Sequence, residues 1–337
     1  MTPAQPLMSI TANRFDVPTE LSVQREALAV VLNEPGCIAL NRLALREPGD
    51  DDVVVDIEWS GISTGAERLL WSGQTPAHSG FGYPVVPGYE AVGRIREAGS
   101  RTRFALGDRV FVPGARCFGA TSGQLGAAAS RLVVPGAQVV PVHQSLEESA
   151  VLMALAASAQ HALNATEAGV VDLVVGHGVL GRLIARVAMA NGTQAPVIWE
   201  TSAARRDGAD GYTVIDPALD RRRDYRSIID TSGDSRLLER LISSLNPGGN
   251  LVLAGCYPEP LSVAFAPAYQ RRLHITVATD WHTDDLIAVK GLAETGCLSL
   301  DDLITHRCPA EQASDAYRTA FSDPGCLKMI LDWRGRQ

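Results

Sequence analysis

The chain has 337 residues, 46% of them hydrophobic and 20% charged, enough to bury a full core and long enough to suggest two domains. Thirty Lys and Arg against 38 Asp and Glu leave a formal charge of −8, the wrong sign for a surface that neutralises phosphates, so no nucleic-acid partner is expected. Lys290 and Lys328 are the only lysines and neither stands in a Gly-Lys-Ser/Thr sequence, which excludes a P-loop nucleotidase and leaves Schiff-base chemistry almost nothing to work with.

Cys37, Cys117, Cys256, Cys297, Cys308 and Cys326 are scattered, and no Cys-x-x-Cys pair exists. A zinc ribbon or a dense disulfide framework is unsupported, and sparse thiols fit a reducing cytoplasm. Residues 1–16 lack a basic region followed by an apolar block, and the purest apolar run, 150–157, is too short to cross a bilayer. A cytoplasmic protein with no membrane anchor is expected.

From the N-terminus, stretches rich in Val and Ile at 27–32, 52–58, 91–95, 108–112 and 131–134 read as strands, punctuated by Glu-Pro-Gly at 34–36 and 47–49. This half reads as all-β and barrel-like. Near Glu147 the texture changes to an Ala/Leu-rich stretch with helical spacing that runs to Leu163. A short apolar strand at 170–175 follows, then Gly176-His177-Gly178-Val179-Leu180-Gly181, a helix at 182–191 and a second strand at 196–199 that ends at Glu200. Strand, glycine turn, helix, strand and acid make one βαβ unit. Further strands at 227–230 and 250–255, with a helix at 237–245 between them, extend a parallel, doubly wound sheet. A helix at 286–294 and a strand at 329–333 complete the chain. The division is 1–156, 157–290 and a closing segment 291–337.

The glycine spacing alone is a weak signal; its place between a strand and a helix makes it specific. Gly176 lets the chain leave the strand in a tight turn, Gly178 keeps side-chain atoms away from a pyrophosphate, and Gly181 lets the helix lie close on the sheet. The N–H groups of Gly178, Val179 and Leu180 then face phosphates at the positive end of a helix. Glu200, nineteen positions after Gly181, is placed to accept hydrogen bonds from the adenosine ribose and to repel a ribose phosphate, which favours NAD over NADP. Arg205 and Arg206 follow closely; they either weaken that preference or form a solvated loop pair.

None of the seven tyrosines has a Lys four residues on, so the short-chain dehydrogenase mechanism is excluded. A β-rich domain, a nucleotide-binding sheet and a short return segment in this order resemble the medium-chain dehydrogenase/reductase superfamily. The resemblance implies an α/β protein: a GroES-like β-barrel catalytic domain (1–156), a Rossmann NAD-binding domain (157–290) and a return to the catalytic domain (291–337). In zinc alcohol dehydrogenases of that group a Gly-Ile-Cys turn and a Gly-His-Glu motif carry metal ligands. The matching stretches here are Gly61-Ile62-Ser63-Thr64-Gly65 and Gly88-Tyr89-Glu90, with Ser63 in place of the cysteine and Tyr89 in place of the histidine. Where a further cysteine is supplied, this chain has Met153-Ala154-Leu155, and the four-cysteine lobe is missing. A hydroxyl and a phenol are poor zinc ligands at neutral pH, so a metal-free member is predicted.

The longer motifs, Trp59 to Gly73 and Gly82 to Glu90, are similar to those of the dehydrogenases of bacteriochlorophyll synthesis. That similarity implies NAD-dependent oxidation of the hydroxyethyl side chain of a chlorophyllide, a tetrapyrrole, to an acetyl group. Family habit also implies a homodimer formed by pairing nucleotide-domain sheets edge to edge. Two other classes stay open: a zinc-free quinone or enoyl reductase, which usually takes NADPH, and a dinucleotide-binding protein without chemistry.

Within this frame Ser63 and Thr64 either hydrogen-bond the substrate oxygen or stabilise their turn. Tyr89 can donate to the forming carbonyl or relay its proton, the latter only if its pKa is tuned downward. Glu90 is either a general base with a pKa raised by burial or a carboxylate bridging a turn or an arginine. His161, expected early in the helix that joins the domains, suits proton transfer or packing. Glu67 is expected to be solvated. Arg68 or Arg116 is a candidate partner for a propionate carboxylate, and Trp59, Trp71, Phe81 and Tyr83 form either an aromatic floor or core packing. Arg221 to Arg223 read as a charged surface turn.

Overall fold

The computed structural model describes residues 25–75, 82–119 and 125–336; Phe81 lies outside them. The hairpin of β1 (Glu26–Glu34) and β2 (Cys37–Ala44) turns at Gly36, whose φ of +76° suits a residue without a Cβ. The central strand, β3 (Asp52–Ile62), is buried on both faces, which is why it reads as a near-continuous apolar run rather than an alternation. The short helix α1 (Ala66–Ser72) follows it at once. One edge of β3 pairs with β4 (Ala91–Ala98), which pairs with β5 (Arg109–Val112); the other edge takes β6 (Arg131–Pro135) along Asp52 to Asp56. The two-residue β7 (Val140–Pro141) closes on β5.

The Ala/Leu-rich stretch is not one helix. Glu147 takes φ +42°, breaking the 144–152 segment into tight turns, and the regular α-helix α2 starts only at Met153 (Met153–Asn164). His161 therefore lies in the last turn of α2, not near its start.

Beyond α2 come β8 (Leu173–Val175), α3 (Val179–Ala190), β9 (Val197–Trp199), β10 (Thr213–Ile215), β11 (Tyr225–Asp230), α4 (Leu238–Ser244), β12 (Leu245–Leu253), α5 (Phe265–Arg271) and β13 (His274–Val277). The six strands are all parallel in the order β10-β9-β8-β11-β12-β13, the 3-2-1-4-5-6 order of a doubly wound nucleotide fold. In such sheets the ligand crevice opens beyond the carboxyl ends of the strands, where the order reverses between β8 and β11. After α6 (Thr283–Glu294) the chain adds β14 (His306–Pro309), α7 (Ala313–Ser322) and β15 (Met329–Asp332) to the first sheet, β15 pairing antiparallel with β3 so that Met329 faces Ile62.

One core fills the first domain. A second runs without a break from Trp59 and Phe111 through α2 to Val174 and Leu183, tying the two sheets together. Trp59, 5% exposed, belongs to this core and has the guanidinium groups of Arg109 and Arg334 over its ring. Trp71 packs on Tyr317 and Phe321, and the Tyr83 hydroxyl donates to Leu70 O. These three rings are core and loop packing rather than a floor for a macrocycle. The arginine triplet is a surface turn, with Arg222 paired to Asp224 and Asp172.

Candidate active site

Strand pairing assembles the first wall. Ser60 lies opposite Ala91, and the Gly61 N–H donates to Glu90 O at 2.7 Å, so the end of β3 and the start of β4 deliver Ser63, Tyr89 and Glu90 to one place. The Tyr89 hydroxyl donates to Ser63 Oγ at 2.5 Å. This leaves the Ser63 hydroxyl hydrogen free for another acceptor. Burial, reinforced by the Glu90 charge, holds the Tyr89 phenol well above its ordinary pKa. Tyr89 is thus kept neutral as a donor, and the base role that required a lowered pKa is not available to it.

Glu90 is fully buried, and burial raises its pKa while Lys328 opposes the rise. Its Oε2 accepts from the ammonium of Lys328, itself 1% exposed, and Oε1 has no hydrogen-bond partner. Lys328 immediately precedes β15 and reaches this corner because Met329 lies beside Ile62. A Cβ on Gly61 would fall 2.3 Å from Glu90 Oε2 and 2.8 Å from Lys328 Cε, so the first residue of the Gly-Ile-Ser turn makes room for the ion pair. One Glu90 oxygen thus bridges to an ammonium, rather than to the turn amides or arginine expected of a bridging carboxylate.

Glu67 is not solvated. It is 1% exposed in the first turn of α1; Oε1 accepts the Ser63 N–H at 3.1 Å and Oε2 the Tyr317 hydroxyl at 2.7 Å. Burial pushes its pKa up to about 7. Thr64 is half-buried beside Ser63. His161 stands apart from this cluster: Nδ1 meets Asp285 at 2.9 Å, Nε2 meets Thr279 Oγ1 at 3.3 Å, and its ring lies edge-on to His282. These contacts brace α2 against the N-terminus of α6, where Asp285 also caps the His282 N–H.

A zinc ion, which this architecture carries in many enzymes, does not fit these residues. A serine hydroxyl and a neutral phenol are weak ligands, and the carboxylate beside them already holds an ammonium. Ala154 adds no donor, and among the described residues no three His, Cys, Asp or Glu side chains converge on a metal position.

The second wall is the glycine fingerprint. Gly176 has φ +98°, a Cβ on Gly181 would stand 1.9 Å from Gly176 O, and a Cβ on Gly178 would meet nothing within 4 Å. The turn, the close helix packing and the open cradle predicted for the three glycines are thus each present. Gly178 caps α3, whose first amides, Val179 and Leu180 among them, lack intrahelical acceptors. Glu200 Oε2 accepts the His177 N–H at 3.0 Å and Oε1 the Ser202 N–H at 2.8 Å, leaving a lone pair on each oxygen.

His177 is engaged within the protein. Its N–H serves Glu200, its carbonyl accepts from Arg182, and its ring spans Arg205 O at 2.6 Å and the Tyr212 hydroxyl at 2.9 Å. Burial lowers its pKa to about 4, so the ring is neutral and Nδ1, facing a carbonyl, carries the hydrogen. Arg205 donates to Pro324 O and Arg206 pairs with Asp216, so both arginines after the acid have partners within the protein. Cys256, following β12 at the carboxyl edge of the sheet, closes the gap between the walls: a Cβ on Gly65 would lie 3.2 Å from its sulfur.

A β-domain whose last strand returns to it after a 3-2-1-4-5-6 sheet, with an open fingerprint facing a polar corner, defines a medium-chain dehydrogenase/reductase. The alcohol dehydrogenase GroES-like domain model matches residues 49–144. The fold is shared with L-idonate 5-dehydrogenase from Escherichia coli, with a TM-score of 0.82 at 16% identity over 92% of this chain and 99% of that one. It is also shared with 2R,3R-butanediol dehydrogenase from Bacillus subtilis, with a TM-score of 0.78 at 18% identity over 91% and 99%. The 2-desacetyl-2-hydroxyethyl bacteriochlorophyllide A dehydrogenase of Cereibacter sphaeroides is 51% identical over 311 residues, 91% of this chain and 98% of the relative. The protein of that name from Rhodobacter capsulatus is 48% identical over 310 residues, 92% and 99% of the two chains. The chain belongs to this bacteriochlorophyllide dehydrogenase family.

Proposed function

We propose that the protein oxidises the hydroxyethyl side chain of a bacteriochlorophyllide to an acetyl group, with NAD as the hydride acceptor and no metal ion. Family membership at 51% identity over nearly the whole relative carries the choice of substrate. The open cradle at Gly178 and the Glu200 carboxylate carry the choice of cofactor. NAD, when bound, accepts the hydride from the carbinol carbon.

The chain's own groups do the rest. The Gly178, Val179 and Leu180 amides and the N-terminal end of α3 hold the pyrophosphate, and Glu200 holds the ribose. Ser63, with one lone pair of its oxygen already accepting from Tyr89, offers the second to the substrate hydroxyl and keeps its own hydrogen for another acceptor, and Thr64 offers a second hydroxyl alongside. Tyr89 stays protonated and fixes Ser63. Glu90 keeps the Lys328 ammonium in this corner, a positive charge near the oxygen that becomes a carbonyl. His161 positions α2 against α6 rather than moving the proton. Arg68 and Arg116 are exposed and form no ion pair among the described residues, which leaves both guanidinium groups available to a propionate of the macrocycle.

Purified protein given the hydroxyethyl substrate and NAD should form NADH and the acetyl pigment in equal amounts. Tyr89→Phe should lower turnover at least tenfold with NAD affinity unchanged. NADH formation without pigment change, or with neither, rejects the assignment.

We place the protein in the cytoplasm on its sparse and unpaired thiols, and no described helix is long and apolar enough to cross a membrane. We further propose a homodimer through β13. This edge strand leaves Ile275 and Val277 exposed, with Phe265 and Tyr269 of α5 nearby at 78% and 72% exposure. Unpaired apolar edges invite a second sheet. Val277→Lys should convert a dimer to monomer in light scattering; a monomeric wild-type chain refutes the pairing.

A further inference from the structure

Glu67 has more in its surroundings than a turn requires. It is a carboxylate buried behind Ser63, 1% exposed, with no cation paired to it among the described residues, because the buried ammonium of Lys328 is committed to Glu90. Leaving such a group uncompensated is costly, and beside Ser63 that points to function. Its two oxygens are held by the Ser63 N–H and the Tyr317 hydroxyl, which arrive from the turn after β3 and from α7. The remaining charged groups that act on it are Glu90, before β4, and Lys328, before β15.

Resting on the function proposed above, we propose that Glu67 is the final acceptor of the alcohol proton, reached through the Ser63 hydroxyl. The carboxylate oxygen that accepts the Ser63 N–H at 3.1 Å belongs to the same turn as the Ser63 hydroxyl. At the substrate the C–H electron pair leaves as hydride for NAD, the O–H bond breaks and the C=O bond forms. The proton goes to Ser63 Oγ as that hydroxyl passes its own to Glu67, so a carboxylate becomes a carboxylic acid and NAD becomes NADH. The acid returns its proton to solvent after product release. With a pKa near 7 the carboxyl group is suited to taking and giving a proton at neutral pH. Glu67 acts through Ser63, so it is a positioning and proton-accepting residue rather than one that touches substrate.

Glu67→Gln preserves shape and can still accept the Ser63 N–H. It should fold, bind NAD with unchanged affinity, and lose about 100-fold or more in turnover. The wild-type rise in kcat through about pH 7 should vanish with it and survive, at reduced rate, in Glu67→Asp. A Gln variant within threefold of wild type with the same pH limb overturns the proposal. Infrared difference spectra across pH 5–9 give a readout independent of substrate: a protonated-carboxyl band titrating near pH 7 should be present in wild type and missing in Glu67→Gln. Absence of that band in wild type also overturns the proposal. Failure of wild type to oxidise the hydroxyethyl pigment, with the band present, refutes only the substrate assignment.

Discussion

Lys328→Met should lower the free energy of unfolding by about 3–5 kcal/mol, among the largest effects of any single substitution in the molecule. The replacement removes one member of an ion pair whose side chains are 1% and 0% exposed and leaves the Glu90 carboxylate without its cation. Glu90 must then either ionise in an apolar corner or take up a proton. Its native pKa, already raised by burial, rises further without the opposing ammonium. A carboxyl group with a native pKa above its unfolded value of about 4.3 binds more protons in the folded state. The loss is therefore small near pH 4 and grows as pH rises, levelling off only where Glu90 ionises in the native protein. Lys328→Met combined with Glu90→Gln should recover most of the stability, because neither a buried charge nor its partner remains. Urea unfolding of the three variants between pH 5 and 8 measures this; a single variant within 1 kcal/mol of wild type at every pH contradicts the pairing.

Gly178→Ala and Gly181→Ala should separate cofactor binding from folding. At Gly178 an added methyl meets nothing within 4 Å and φ is −75°, so the only cost is that of a poorer helix cap, about 1 kcal/mol. That variant should lose no more than about 1 kcal/mol of stability yet bind NAD at least tenfold more weakly, because the methyl occupies the space a pyrophosphate needs. At Gly181 the methyl would stand 1.9 Å from Gly176 O, so α3 must lift from the turn. A stability loss of about 1–3 kcal/mol is expected, together with loss of NAD binding. Titration calorimetry and thermal melts decide both; wild-type NAD affinity in Gly178→Ala would place the cofactor elsewhere.

The parts of the site held by local chain geometry were legible in the sequence. Gly176, Gly178, Gly181 and Glu200 lie within one βαβ unit, and the tight turn, the open space and the close helix packing at the glycines follow from strand, turn and helix alone. The substitution of Ser63 and Tyr89 into two short motifs likewise announced a corner unsuited to zinc. What was hidden depends on contacts across the whole chain. Tyr317 meets Glu67 across 250 positions and Lys328 meets Glu90 across 238, and no spacing rule connects them. One signal was present at Lys328: a chain that uses arginine almost everywhere has a lysine there, and a compact ammonium fits a narrow buried gap that a planar guanidinium does not. The contacts of His177 were equally hidden: it occupies the fingerprint, and its N–H, carbonyl and ring all bond within the protein. The short strands β10 and β13, only three and four residues long, have too little apolar pattern to register.

The most direct measurement is turnover of the hydroxyethyl bacteriochlorophyllide by protein treated with a strong chelator, with metal content assayed in the same sample and NADH and acetyl pigment followed together. Undiminished NAD-linked oxidation at far less than one metal ion per chain is the predicted result. Activity that disappears with the metal and returns on adding zinc would contradict a site in which the Lys328 ammonium, not a metal ion, supplies the positive charge.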